Sequence, residues 1–138
     1  MSETTTTTNV PTVWPALRCN DAEAELRFLT EAFGFEEAMV VRGEKGDSRA
    51  IHHAELKWPL GGGIMFGSTD PTDDSDIFPS GPVSIYVVTD EPDALLERAT
   101  KAGAEIVLPM KDEDYGSRGF TAKDPEGNLW TFGTYRGA

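Results

Sequence analysis

The sequence predicts an α+β fold made of two βαβββ modules, and three observations carry that prediction. Two segments of equal length run from an aspartate to a glycine, Asp21 to Gly34 and Asp90 to Gly103, each with apolar residues on one helical face. Each segment follows a short apolar strand and precedes three more strand-like runs. An acidic, proline- and glycine-bearing stretch at residues 68–81 separates the two halves. A chain of 138 residues has room for one such domain. Each sheet can cover one face with its own helix, and its other face needs a partner; packing the two sheets around a central cleft supplies one.

In chain order, residues 1–12 are polar and threonine-rich and read as a flexible tail. Residues 13–19 read as a strand, and Pro15 makes it an edge strand or a strand start. Asn20 or Asp21 can cap the first helix, whose buried face is Ala22, Leu26, Leu29 and Phe33. Strands are expected over 35–42, 50–58 and 64–66. A turn at 43–47 joins the first two, and Pro59 with Gly61, Gly62 and Gly63 breaks the next. In the connector, Asp70 to Asp76 lacks the residue pattern of a calcium loop and reads as solvated. The second module opens with a strand at 83–88. A helix with Pro92 in its first turn follows and buries Leu95, Ala99 and Ala102. Strands over 105–108, 118–122 and 128–134 complete it, the last entered through the turn Asp124-Pro125-Glu126-Gly127-Asn128. The modules therefore span about 13–67 and 82–135.

Charge and composition exclude several functions. There are 24 Asp and Glu against 12 Lys and Arg, a net charge of −12. That balance argues against bare nucleic acid and against docking on an anionic membrane. It fits either a solvated acidic surface or a cationic ligand. The single cysteine, Cys19, excludes an intramolecular disulfide and a cysteine-based zinc cluster. No stretch approaches ~20 continuous apolar residues, the length a membrane-spanning helix needs. The amino-terminal residues lack the basic and apolar regions of a signal peptide, so a cytoplasmic location is expected. Dinucleotide, nucleoside-triphosphate, serine-hydrolase and zinc-protease motifs are missing, and no cofactor is expected.

The candidate chemical residues are few. His53 and Glu55 share one side of their strand, where they can act as two metal ligands, as an acid and a base, or as wall residues. Arg18 shares a side with Trp14 and Ala16, and Ser84 shares one with Tyr86 and Val88. Thr131 lies on the opposite face of the last strand from Trp130 and Phe132. Arg18 or Arg118 can hold a carboxylate or phosphate in the cleft, or Arg118 can pair with the acidic region 111–114. Trp14, Trp58 and Trp130 can stack on a flat ligand or pack in the core and rim. Tyr115 is a further polar aromatic candidate.

Several motifs together resemble a known superfamily. Leu17-Arg18-Cys19-Asn20-Asp21, Ala32-Phe33-Gly34-Phe35, Ile51 to Leu56 and Gly63 to Phe66 resemble the first half of glyoxalase/bleomycin-resistance/extradiol-dioxygenase proteins, the vicinal oxygen chelate superfamily. Tyr115 to Phe120 and Asp124 to Trp130 look most like the ending of the bleomycin-resistance branch. The resemblance implies an open cup-shaped sheet and a homodimer. It also implies four metal-ligand positions, here Trp14, Glu55, Ser84 and Thr131. Only Glu55 is a good ligand for a divalent ion, so the metal set is not competent. Members of that branch sequester a drug in clefts between subunits.

The expected function is therefore metal-independent binding of a small molecule, an antibiotic or a metabolite. Trp14, Arg18, His53, Glu55, Ser84, Tyr86, Tyr115, Arg118 and Thr131 are the expected lining. The enzyme alternative is a lyase or isomerase using His53, Glu55 or Tyr115, or a metal site of unrecognised composition. The remaining alternative is a protein-interaction scaffold with a vestigial cleft.

Overall fold

A computed structural model describes residues 10–44, 50–75, 77–78 and 80–138. The expected amino-terminal tail up to residue 9, the turn beyond Glu44, and Asp76 and Pro79 of the connector lie outside the described residues. The first module contains β1 (Ala16–Cys19), α1 (Ala22–Phe28), one π-helical turn (Leu29–Phe33), β2 (Glu36–Arg42), β3 (Ile51–Lys57) and β4 (Gly63–Ser68). The second contains β5 (Ser84–Val88), α2 (Pro92–Lys101), β6 (Glu105–Asp112), β7 (Arg118–Lys123) and β8 (Leu129–Gly133). The strands form two four-stranded mixed sheets, ordered β1-β4-β3-β2 and β5-β8-β7-β6. In each sheet the first strand runs parallel to the last, and the remaining pairs are antiparallel. Two open mixed sheets with one helix apiece are the architecture that the repeated pattern predicts.

Among the departures from the expected elements, three have a local reason. β1 starts at Ala16 because Pro15 has no N–H to donate, although its carbonyl still accepts from Met65 N at 2.9 Å. The first helix changes to a π turn at Leu29. There Thr30 Oγ1 bonds the carbonyls of Leu26 and Arg27 at 2.9 and 3.1 Å. Arg98 of α2 takes the carbonyls of Thr30 and Glu31 at 3.0 and 2.9 Å. β6 runs on to Asp112, past Pro109, because it is an edge strand with a register shift between Leu108 and Lys111.

The helix-covered faces of both sheets merge into one core. Trp130, Phe132 and Phe120 of the second sheet are buried, as are Leu56, Ile64 and Phe66 of the first. Phe33 joins them, 4.6 Å from Phe132 and 5.7 Å from Trp130 between ring centroids. Phe35 lies 5.5 Å from Trp130 and 4.9 Å from Trp58. Burying each such aromatic ring contributes about 1.5–3 kcal/mol, so the shared core is what joins the modules. Polar links add direction: Trp58 Nε1 donates to Val88 O at 2.8 Å, and Glu126 accepts from the amides of Asn20 and Asp21, both at 2.8 Å.

Candidate functional site

Strand alternation leaves one face of each sheet outside this core, and the candidate residues divide between those two faces. On the first sheet, β1 presents Arg18, β3 presents His53 and Glu55, and β4 presents Met65. His53 Nε2 and Glu55 Oε2 are 2.7 Å apart, the contact expected for residues two apart on one side of a strand. Arg18 runs across Gly67, where a Cβ would come within 3.4 Å of its guanidinium, and its charge lies 5.5 Å from the centroid of Phe78. Ala16, Arg18, His53, Met65 and Phe78 line a depression of about 170 Å³.

The second sheet presents a different surface. Tyr86 of β5, Thr121 of β7 and Thr131 of β8 share its open face with Leu108 and Tyr115, around a depression of about 400 Å³. The hydroxyls of Thr121 and Thr131 are 2.8 Å apart. Gly133 makes room for Tyr86: a Cβ there would stand 2.8 Å from the tyrosine oxygen. Tyr86 Oη donates to the carbonyl of Tyr135 at 2.7 Å, and the ring of Tyr135 meets that of Tyr115 edge-on at 5.8 Å. Ser117 Oγ accepts from Tyr135 N at 3.3 Å. All three tyrosines of the chain therefore gather at one rim.

No residue of either open face lines the other face's depression. Arg18 and His53 are thus together, with Glu55 bonded to His53; Tyr86, Tyr115 and Thr131 are together; and one chain does not merge the two groups. Trp14 and Arg118 line neither depression. The Trp14 indole donates to Pro11 O at 3.3 Å. Arg118 is committed to Asp93 at 2.7 Å and Asp112 at 2.9 Å, which hold its guanidinium above the ordinary arginine range. Arg118 thus pairs with the acidic region 111–114 through Asp112, and also with Asp93 of α2. Ser84 is exposed at the start of β5, and Trp130 is wholly in the core. Phe78 and Tyr135 were missed by sequence reasoning. One lies in the connector and the other beyond the last strand, where strand alternation assigns no face.

A third cavity of about 350 Å³ sits at the module junction, among Phe35, Trp58, Ile64, Ile85 and Trp130. Arg136 at its edge is paired with Asp90 at 2.5 Å. None of the acid–base candidates reaches this apolar cavity.

The four metal positions implied by resemblance do not fit a metal ion. The indole N–H of Trp14 has no lone pair to offer and is already bonded. The Thr131 hydroxyl is paired with Thr121, and Glu55 is paired with His53. Among the described residues, no group of three or more His, Cys, Asp or Glu side chains is placed to hold a metal.

Paired βαβββ modules, a shared core and two open sheet faces define the structural class. The chain belongs to the Glyoxalase/Bleomycin resistance protein/Dioxygenase superfamily, whose family model matches residues 12–132. An uncharacterised protein of Mycobacterium tuberculosis is 30% identical over 129 residues, covering 89% of this chain and 74% of the relative. TioX from Micromonospora sp. ML1 is 29% identical with a TM-score of 0.71, over 88% of this chain and 98% of TioX. The fosfomycin resistance protein FosX from Listeria monocytogenes, solved with Mn(II) and sulfate, shares the fold at 17% identity and a TM-score of 0.58. That match covers 91% of this chain and 92% of FosX. No helix among the described residues is long and apolar enough to cross a membrane.

Proposed function

We propose that this chain is a metal-independent small-molecule-binding protein that sequesters an antibiotic or a metabolite. The observation that carries the reading is the tyrosine rim. Tyr86, Tyr115 and Tyr135 stand over a floor of Gly119, Thr121 and Thr131, an aromatic wall with a few hydroxyls to orient a ligand. The working unit is a homodimer. One copy's charged face, with Arg18, His53 and Glu55, meets the tyrosine face of the other and closes a site that a single chain leaves open. The half-exposed Met39 and Val41 on β2 and the more exposed Leu108 and Tyr115 support that pairing as apolar surface awaiting cover. A cytoplasmic location fits the buried, unpaired Cys19.

A thermal-shift screen against antibiotics and metabolites, with sedimentation to measure mass, tests this reading. A compound at about 100 times its Kd stabilises the fold by about 2.7 kcal/mol, a shift of several degrees. The expected result is a dimer and a set of planar, aromatic compounds that raise the melting temperature. A monomer that no compound stabilises sinks the proposal.

The contact between His53 and Glu55 favours a second reading, a lyase or isomerase in which this pair moves a proton while Arg18 holds an anionic group. Glu55→Gln separates the two readings. It removes turnover of any compound the protein converts and leaves simple binding within a few-fold.

A further inference from the structure

Glu25 is a wholly buried charged side chain, with 0% of its surface exposed. It points from α1 toward the second module, and neither of its carboxyl oxygens has a hydrogen-bond partner among the described residues. Asp124, also buried, is the opposite case. It accepts four hydrogen bonds: from the amides of Glu126 and Asn128, from Asn128 Nδ2, and from Trp130 Nε1, all at 2.8–2.9 Å. Asp124 and Asn128 act on the Glu25 carboxyl without closing a bond of ordinary geometry to it. The same turn supplies Glu126, whose carboxylate caps the amides of Asn20 and Asp21 at the start of α1. One buried carboxyl thus lies between a helix and the turn that caps it across the module junction.

We propose that Glu25 is held as a neutral acid at this junction, and that its ionisation drives the turn Asp124–Asn128 away from α1 and loosens the contact between modules. An ion there is stripped of water with Asn128 alone favouring its charge, and it adds a further negative charge beside Asp124 and Glu126. The groups facing it from the packed elements are Asp124 and Glu126 on the turn and the Cys19 thiol on β1, with Asp21 at the helix cap acting on that thiol. Burial, then Asp124, push the Glu25 carboxyl up from 4.5 to about 10. A folded value above the unfolded one means that the native state binds the extra proton. Its stabilising contribution is whole below about 4.5 and is lost as pH rises toward about 10.

The test uses the full chain and Glu25→Gln, melted between about pH 6 and about pH 9, with hydrogen exchange at Asn20 and Asp21. In the unaltered protein the melting temperature is expected to fall by several degrees with rising pH, and both capped amides to lose protection beyond the intrinsic base-catalysed rate. Glu25→Gln is expected to flatten both trends. Parallel trends in the two proteins overturn the proposal. If Glu25→Gln does not fold, carbon-13 titration of the Glu25 carboxyl in the unaltered chain decides: a midpoint in the ordinary carboxylate range overturns it, and one several pH units higher supports it.

Discussion

The two modules repeat one skeleton and finish it differently. Both place a parallel strand pair at the sheet edge and bury an aromatic or aliphatic face against helices. Their open faces diverge: the first carries Arg18, His53 and Glu55, and the second carries tyrosines and threonines. Their last turns diverge too. The first module enters β4 through Gly61 and Gly62, both at positive φ, which take whatever backbone shape the turn requires. The second enters β8 through Asp124, which organises its turn by four hydrogen bonds. The repeated parts hold the fold, and the divergent parts carry the candidate residues and the turn at the junction.

The sharpest way to break this comparison is at the two turns. Asp124→Ala leaves several buried donors without an acceptor and is expected to destabilise by about 3–4 kcal/mol in urea unfolding. Leu60→Ala, in the matching turn of the first module, is expected to stay within about 0.5 kcal/mol. Similar losses at both would show that the turns are equivalent.

The open faces can be compared by ligand affinity. For a compound found in the thermal-shift screen, Tyr115→Ala is expected to weaken binding roughly tenfold, the scale of one aromatic contact. Arg18→Ala weakens it comparably only if the two faces close over one ligand, as the proposed dimer requires. Calorimetric titration measures both. An effect confined to the tyrosine face restricts the site to the second module.

Smaller effects follow. Thr131→Val should lower stability by about 1 kcal/mol in chemical denaturation, because it removes the hydroxyl partner of buried Thr121. Dialysis against a chelator should leave the melting temperature unchanged. Protein purified without chelator should hold far less than stoichiometric metal by elemental analysis. Stoichiometric metal would falsify the metal-independent reading. The smallest effect is on the acid side. The hydrogen bond from Arg118 holds the Asp93 carboxyl below its ordinary range, so its contribution is present above the unfolded value and is lost as pH falls through the folded one. An acid titration of Asp93→Asn should therefore lack a slight part of the loss seen in the unaltered chain; both groups are exposed enough for solvent to screen the pair.

Much of the scaffold was legible because it rests on periodicity. Alternation placed His53 beside Glu55 and put Thr131 opposite Trp130, and helical spacing placed Leu26, Leu29 and Phe33 in the core. Cys19, which alternation puts on the opposite side of its strand from Arg18, is fully buried. Less of the site was legible. Arg18 and Arg118 look interchangeable as anion holders, yet one lies beside Phe78 and the other between two aspartates. Arginine reaches far enough that its partner is chosen by neighbours distant in sequence. Glu25 also escaped notice. Among the charges of an acidic helix, nothing local marks the one that the second module covers.

The sequence by itself determined the two βαβββ modules and the superfamily, because these depend on local spacing and on the identity of each side chain. Only the tertiary structure decided that the helix-covered faces share one core while the candidate residues remain on two separate open faces. It also decided that Tyr135 completes a rim and that Glu25 is sealed at the junction. Those outcomes depend on how the apolar faces of two modules meet, and the burial that drives their meeting has no direction that a run of residues can encode.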